Sequence, residues 1–257
     1  MAIDTGPFQY LEDKAFSFAC HAGLACFNEC CRDLKLVLTP YDILRLKKHL
    51  GLSSMDFLDR YVDIETGAHN NFPGVFLKMN EEEGRPCPFV TPVGCRIYPD
   101  RPGACRIYPI GRGSSKTKGQ PATRELFFTI REDHCRGFDE PRSWSVDTWM
   151  ADQGLVPYNY FNDLWMEIIT HKGSLGPEET AGKKIQMFFM ASYNLDQFRL
   201  FVSKTRFLER FEVPAPLEKQ IREDDEALLR LALQWLRFAF WGEPTLKLKE
   251  GDSGKEA

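Results

Sequence analysis

The clearest periodicity begins just after Leu38. Ile43, Leu44, Leu46 and Leu50 form one apolar stripe at helical spacing. Thr39 stands where an N-cap belongs, Pro40 at the first helical position, Asp42 at the third and Gly51 at the stop. Ser53-Ser54-Met55-Asp56 repeats the capping pattern and predicts a second helix to about Val62, so the pair reads as a helical hairpin. A DNA-binding helix-turn-helix is the other reading, but Asp56 and Asp59 on the second helix would repel phosphate. Val75–Met79 and Leu126–Arg131 read as short strands flanked by Pro, Gly and polar residues.

From about Ser145 the pattern is helical. Tyr160–Thr170 ends in the basic, glycine-stopped His171-Lys172-Gly173. Gly182–Tyr193 is rich in Phe and Met, and Asn194 with Gln197 caps Phe198–Val202 before Val213-Pro214 breaks the run. A last helix is expected over Pro216–Phe240, apolar except for a stripe of Arg230, Gln234 and Arg237, and so largely buried. The mixture predicts an α+β fold: a loop-rich core with short strands, then a mainly helical part. The expected division is a cysteine-bearing region over 1–144, a helical extension packed on it over 145–242, and a polar, disordered tail over 243–257.

Composition narrows the class. The chain has 257 residues, 43% hydrophobic and 13% aromatic, with a net charge of −4, which suffices for a sizeable core and excludes global disorder. No apolar run approaches the roughly 18 residues of a membrane span, and Met1–Tyr10 lacks a signal-peptide pattern, so a soluble, cytoplasmic protein is expected.

Charge and repeats mark the central segment. Between Arg85 and Arg142 there are 11 Lys/Arg against 6 Asp/Glu, a balance of +5 that leaves −9 for the remainder. Cys95-Arg96-Ile97-Tyr98-Pro99 recurs as Cys105-Arg106-Ile107-Tyr108-Pro109, too closely for a solenoid unit, and suggests two ligand-bearing turns of similar shape. Gly111–Arg124 reads as a mobile basic loop. Its Lys116-Thr117 does not complete a phosphate-binding loop, because Ser115 and Ile110 occupy the positions that need glycine.

Eight cysteines carry the chemistry: Cys20, Cys26, Cys30, Cys31, Cys87, Cys95, Cys105 and Cys135. In a reducing compartment they stay free of disulfides, and their confinement to one half of the chain points to metal or cluster ligation. Four are followed by arginine (Arg32, Arg96, Arg106 and Arg136), a charge that favours thiolate. Their intervals lack the tight pairs of zinc knuckles and ribbons. Scattered cysteines on proline-rich loops fit an iron–sulfur cluster, of [4Fe–4S] type, while thiolate softness leaves a zinc ion open. His21 and His134 adjoin cysteines and read as supporting or exposed groups rather than ligands. Glu29, Asp33, Asp100 and Asp133 read as solvated charge, and no catalytic dyad stands out.

Several motif blocks carry a family resemblance. The spaced cysteines ending in Cys30-Cys31, the Leu38-Thr39-Pro40-Tyr41-Asp42-Ile43-Leu44-Arg45-Leu46 helix start, Pro86-Cys87-Pro88-Phe89 and Cys95-Arg96-Ile97-Tyr98-Pro99-Asp100-Arg101-Pro102-Gly103-Ala104-Cys105-Arg106 follow one another in order. Together, over about Phe18–Phe138, they resemble the YkgJ-type cysteine-cluster family, associated with zinc or iron chelation. The first block departs from the family's two-residue gaps, with five and three residues between successive cysteines. The resemblance implies metal or cluster binding with all eight cysteines as ligands, and an iron–sulfur oxidoreductase acting with a redox partner. The family is also similar to flagellin lysine methylases, which implies S-adenosylmethionine and a protein substrate. The chain itself has no glycine-rich strand-to-helix turn for that methyl donor. A structural zinc module that binds a protein partner is a third reading, and nucleic-acid binding through the basic segment ranks below it.

Overall fold

The structure, a computed structural model, describes residues 8–69, 72–115 and 124–249. In chain order the elements begin with β1 (Phe8–Tyr10), β2 (Ala15–Ser17), α1 (Pro40–Leu50), α2 (Ser54–Tyr61), β3 (Val62–His69) and β4 (Phe72–Leu77). There follow β5 (Val90–Thr91), β6 (Gly94–Cys95), α3 (Gly103–Ile107), β7 (Ile110–Ser115), β8 (Arg124–Ile130) and β9 (Ser143–Ser145). The rest is helical: α4 (Val146–Asp152), α5 (Val156–Ile169), α6 (Glu178–Tyr193), α7 (Leu195–Lys204), α8 (Phe207–Arg210), α9 (Ala215–Gln220) and α10 (Asp225–Trp241). The fold is α+β, with short strands concentrated early and helices late. No helix among the described residues is long and apolar enough to cross a membrane.

Two compact units share the chain, one formed by residues 1–36 with 79–159 and the other by 37–78 with 160–257. In the first, β1, β8 and β7 make an antiparallel sheet in that order, with Phe8 opposite Ile130 and Ile110 opposite Thr129. A second ribbon pairs β2 with β9, Phe16 opposite Trp144. Phe16, Phe18, Ile110, Phe127, Val146 and Trp149 form the core here. Trp149 receives the edges of Phe16 and Phe18 at 5.7 and 5.8 Å and donates its indole N–H to Ile107 O at 3.0 Å.

In the second unit the α1 cap forms as its sequence dictates. The Thr39 hydroxyl accepts the Asp42 N–H, the Asp42 carboxylate accepts the Thr39 N–H, and Gly51 ends the helix at φ 64°. The Ser53 hydroxyl accepts the Asp56 N–H and caps α2. β3 and β4 form an antiparallel hairpin with Ile64 opposite Val75, and β4 is buried along its whole length. α10 buries Leu228, Leu229, Leu231, Leu233, Trp235 and Leu236, and its polar stripe is occupied: Arg230 lies over the Tyr160 ring and Arg237 pairs with Glu167 and Glu243.

Three sequence expectations change. Gly111–Ser115 belongs to β7 rather than to a loop, while 116–123, including Lys116-Thr117, lie outside the described residues. Gly111 stands opposite Phe128, and a Cβ there would meet the ring at 2.3 Å; the glycine that suggested a loop makes room for a cross-strand aromatic. The expected helix over 216–240 is two helices, because the Asp224 carboxylate accepts the N–H groups of Glu226 and Ala227 and so starts α10 afresh. The Cys-Arg-Ile-Tyr-Pro copies do not share a shape: Cys95 lies in the β5–β6 hairpin, Cys105 in α3. Gly94, at φ 121°, sets the hairpin, whereas Pro102 leads into a helix. Residues 243–249 run back along the second unit, with Glu212 N–H on Lys247 O and Lys249 N–H on Arg210 O at 2.9 and 2.8 Å. Residues 250–257 of the expected tail lie outside the described ones.

Candidate metal centre

All eight cysteines fall in the first unit and none is in a disulfide; Cys20 is exposed and the other seven are half-buried. Backbone contacts connect the segments of seven of them in two series, while Cys105 stands in α3. Cys30 and Cys31 close a one-turn 3₁₀ helix, Glu29–Cys31, entered through Asn28 in the left-handed region at φ 72°. Asparagine tolerates that conformation, and here its side-chain N–H donates to Thr91 O at 3.0 Å, in the β5–β6 hairpin. Cys87 N–H donates to Cys31 O at 2.8 Å, Val90 N–H to Cys87 O at 3.1 Å, and Val90 pairs with Cys95 across the hairpin.

The second series joins the beginning of the chain to the segment around Cys135. Arg136 N–H donates to Cys26 Sγ at 3.2 Å and Ala19 N–H to Gly137 O at 3.0 Å. A Cβ on Gly137 would stand 2.4 Å from Phe18 Cε2 and 2.8 Å from Ala19 O, so glycine permits the close approach of the Phe18-Ala19 segment to Gly137.

The thiols act on one another electrostatically. Cys20 is pushed up to about 11, first by partial burial and then by Cys30, Cys26 and Cys135, while Arg101 pulls it down. Cys31 donates to Cys30, which lowers Cys30 and raises Cys31 well above the thiol range. Cys87 and Cys95 are raised mainly by burial, Cys87 also by Cys95 and Cys95 by Cys30. Burial and the neighbouring Cys135 raise the Tyr108 hydroxyl. Cys30 thus stands in range of Cys20, Cys31 and Cys95 together. Among the described residues no three His, Cys, Asp or Glu side chains stand close enough together to hold a single metal ion.

Groups near the cysteines are spent locally. His21 Nδ1 accepts the Gly23 N–H at 3.2 Å and its Nε2 faces Glu140 at 3.5 Å; His134 faces Glu132 at 3.6 Å. Asp33 pairs with Arg85 at 2.9 Å and Glu29 lies 3.8 Å from Arg32, both at the surface. Of the four arginines that follow a cysteine, Arg106 alone is buried. Sequence reasoning passed over Arg101, which is not adjacent to any cysteine. It is 9% exposed, and its guanidinium acts on Cys20 and Cys95. Its only signal was a place midway between the two Cys-Arg copies.

By chemistry, soft thiolates are the donor type of both zinc and iron–sulfur sites. No curated protein and no solved structure matches the chain. Residues 19–136, a little under half of the chain, match the CxxCxxCC family model, described as "Putative zinc- or iron-chelating domain". The stretch that carries all eight cysteines therefore matches the model of the cysteine-cluster family that its motifs resemble.

Proposed function

We propose that the thiols hold an iron–sulfur cluster, of [4Fe–4S] type, and that the protein is an electron-transferring or oxidoreductase component working with a redox partner in the cytoplasm. The observation that carries this reading is the arrangement of the cysteines: eight of them, none in a disulfide, gathered in one unit and electrostatically in touch. A cluster is a larger body than one ion and takes ligands from several directions. Free thiols in this number also suit a reducing compartment. Cys30, Cys31, Cys87, Cys95 and Cys105 are the ligands best supported by motif order. Cys20, Cys26 and Cys135 complete a set large enough for a second centre or for exchange of ligands.

The test is the content of iron, zinc and acid-labile sulfide in the full chain purified anaerobically without added metal. Iron with matching sulfide, in a brown protein, supports the cluster. Zinc without sulfide, in a colourless one, overturns it in favour of a structural zinc domain. Cys30→Ser, Cys31→Ser and Cys105→Ser are each expected to lower the metal content by half or more; full retention in all three would remove these residues from the ligand set.

A further inference from the structure

The side chains of Lys47 and Arg112 are buried, and each meets a carboxylate: Lys47 reaches Asp196 and Asp225, and Arg112 reaches Glu125. Arg101 and Arg106 are buried to a similar degree, and among the described residues neither has a carboxylate within ion-pair distance. Arg106 donates Nε–H to Arg101 O at 2.9 Å, Nη1–H to Gln153 O at 2.7 Å and Nη2–H to Pro99 O. Arg101 donates to Tyr98 O at 2.7 Å and to the Gln153 side-chain oxygen. These carbonyl dipoles hold both guanidiniums in place but leave their charge uncancelled.

That charge comes to the surface at Tyr98. The Arg101 guanidinium lies 3.8 Å from the Tyr98 ring centre, yet the residue is 58% exposed, so the face turned away from Arg101 is open to solvent. Arg96 stands two residues earlier. It is exposed, its N–H is on Phe89 O at 3.0 Å, and its guanidinium lies over the buried Phe89 ring at 5.2 Å. It too has no carboxylate partner among the described residues. Val93, between β5 and β6, is 90% exposed.

We infer that this surface docks single-stranded nucleic acid, with a base stacked on the open face of Tyr98 and phosphates drawn to Arg96. The charge selects a polyanion: from Arg85 to Arg112 the sequence has five arginines against one acid, Asp100. The open ring selects an anion that carries planar groups. A cation behind an aromatic ring draws electron density away from the front, and a base on that front face adds stacking that a carboxylate chain lacks. The shape selects a strand over a free nucleotide. Tyr98 and Val93 stand out into solvent rather than line a cleft, so one nucleotide would bury little, whereas a strand adds backbone contacts along its length. The inference is independent of what the cysteines hold.

The experiment titrates a fluorescent oligo(dT) strand of about 15 nucleotides, which has no structure of its own, with the full-length protein and follows anisotropy. Affinity is expected to fall several-fold between about 50 and about 200 mM salt. Tyr98→Ala should weaken binding about fivefold or more, while Tyr98→Phe, which keeps the ring, stays within about twofold of wild type. Arg96→Gln should weaken binding about threefold and flatten the salt dependence. Thermal unfolding of each variant accompanies the titrations; should Tyr98→Ala melt well below wild type, Tyr98→Phe and Arg96→Gln carry the decision. A wild-type protein that does not bind the strand at about 50 mM salt would overturn the inference. So would a folded Tyr98→Ala that binds as wild type does, or an Arg96→Gln with unchanged affinity and salt slope. Displacement of the strand by polyglutamate at equal charge concentration would also overturn it, and would assign the surface to an acidic protein.

Discussion

Asn28 decides the shape of the thiol loop by two separable properties. Its backbone sits at φ 72°, where a Cβ is strained, and its side chain ties the loop to the β5–β6 hairpin through Thr91 O. The Asn28→Ala protein should lose both, the hydrogen bond at about 1 kcal/mol and the conformational tolerance at about 1 kcal/mol more. Asn28→Gly relaxes the backbone and loses the bond alone, so it should be the milder of the two. Chemical unfolding of both variants in the metal-loaded state measures the difference. If Ala and Gly are equally destabilised, the strain at this position is not what matters. The cysteines and their confinement to one region were legible in the sequence, because all eight fall between Cys20 and Cys135. The partners of Arg101 were not: it donates to Tyr98 O and to the side chain of Gln153, 52 residues away in the chain, a contact that appears only in three dimensions.

At the level of elements, the caps carried most of the readable information. Thr39 with Asp42, Ser53 with Asp56 and Asn194 with Gln197 each place a side-chain acceptor on an orphan backbone N–H, and each marks a helix start in the structure. Asp224 obeys the same physics but hides in the polar run Arg222-Glu223-Asp224-Asp225, where an acid is as compatible with a continuing helix as with a cap. Its carboxylate accepts two N–H groups, at 2.8 and 3.2 Å. Asp224→Ala should therefore cost about 1 kcal/mol, read as a lower urea midpoint, and Asp224→Asn should recover most of it. An alanine variant as stable as wild type would mean that tertiary packing, not the cap, divides α9 from α10. β7 escaped for the opposite reason. Gly111 and Gly113 remove the alternation that announces a strand, yet Gly111 is there because Phe128 occupies the space of its side chain.

The whole molecule offers two independent handles, one in each unit. The thiols belong to the first unit, so a metal bound there adds to the stability of that unit: about 4 kcal/mol when free metal exceeds the dissociation constant a thousandfold. The second unit holds Lys47, 7% exposed, against Asp196 at 2.8 Å and Asp225 at 3.4 Å. Partial burial would push the Asp196 carboxyl up. The hydrogen bonds from Lys47 and from the Ser54 N–H, with the Lys47 charge, outweigh it and hold Asp196 below the ordinary carboxylate range. The sign follows from linkage. A carboxyl depressed on folding contributes fully above its unfolded value, near pH 4, and its contribution disappears as pH falls through the lower folded value. With Asp196 41% exposed, that contribution is about 1 kcal/mol. Chelation at pH 7 should therefore lower the unfolding transition of the cysteine unit and spare the helical one. Acidification from pH 5 to 3 should lower the helical unit's transition, and less steeply in Asp196→Asn, which keeps a side-chain oxygen for the Ser54 N–H but loses the charge. Scanning calorimetry of the full chain under the four combinations of pH and chelator separates the two effects. A single transition that shifts as one under either treatment would mean that the units unfold as one cooperative body, with stability added at the thiols shared throughout the chain.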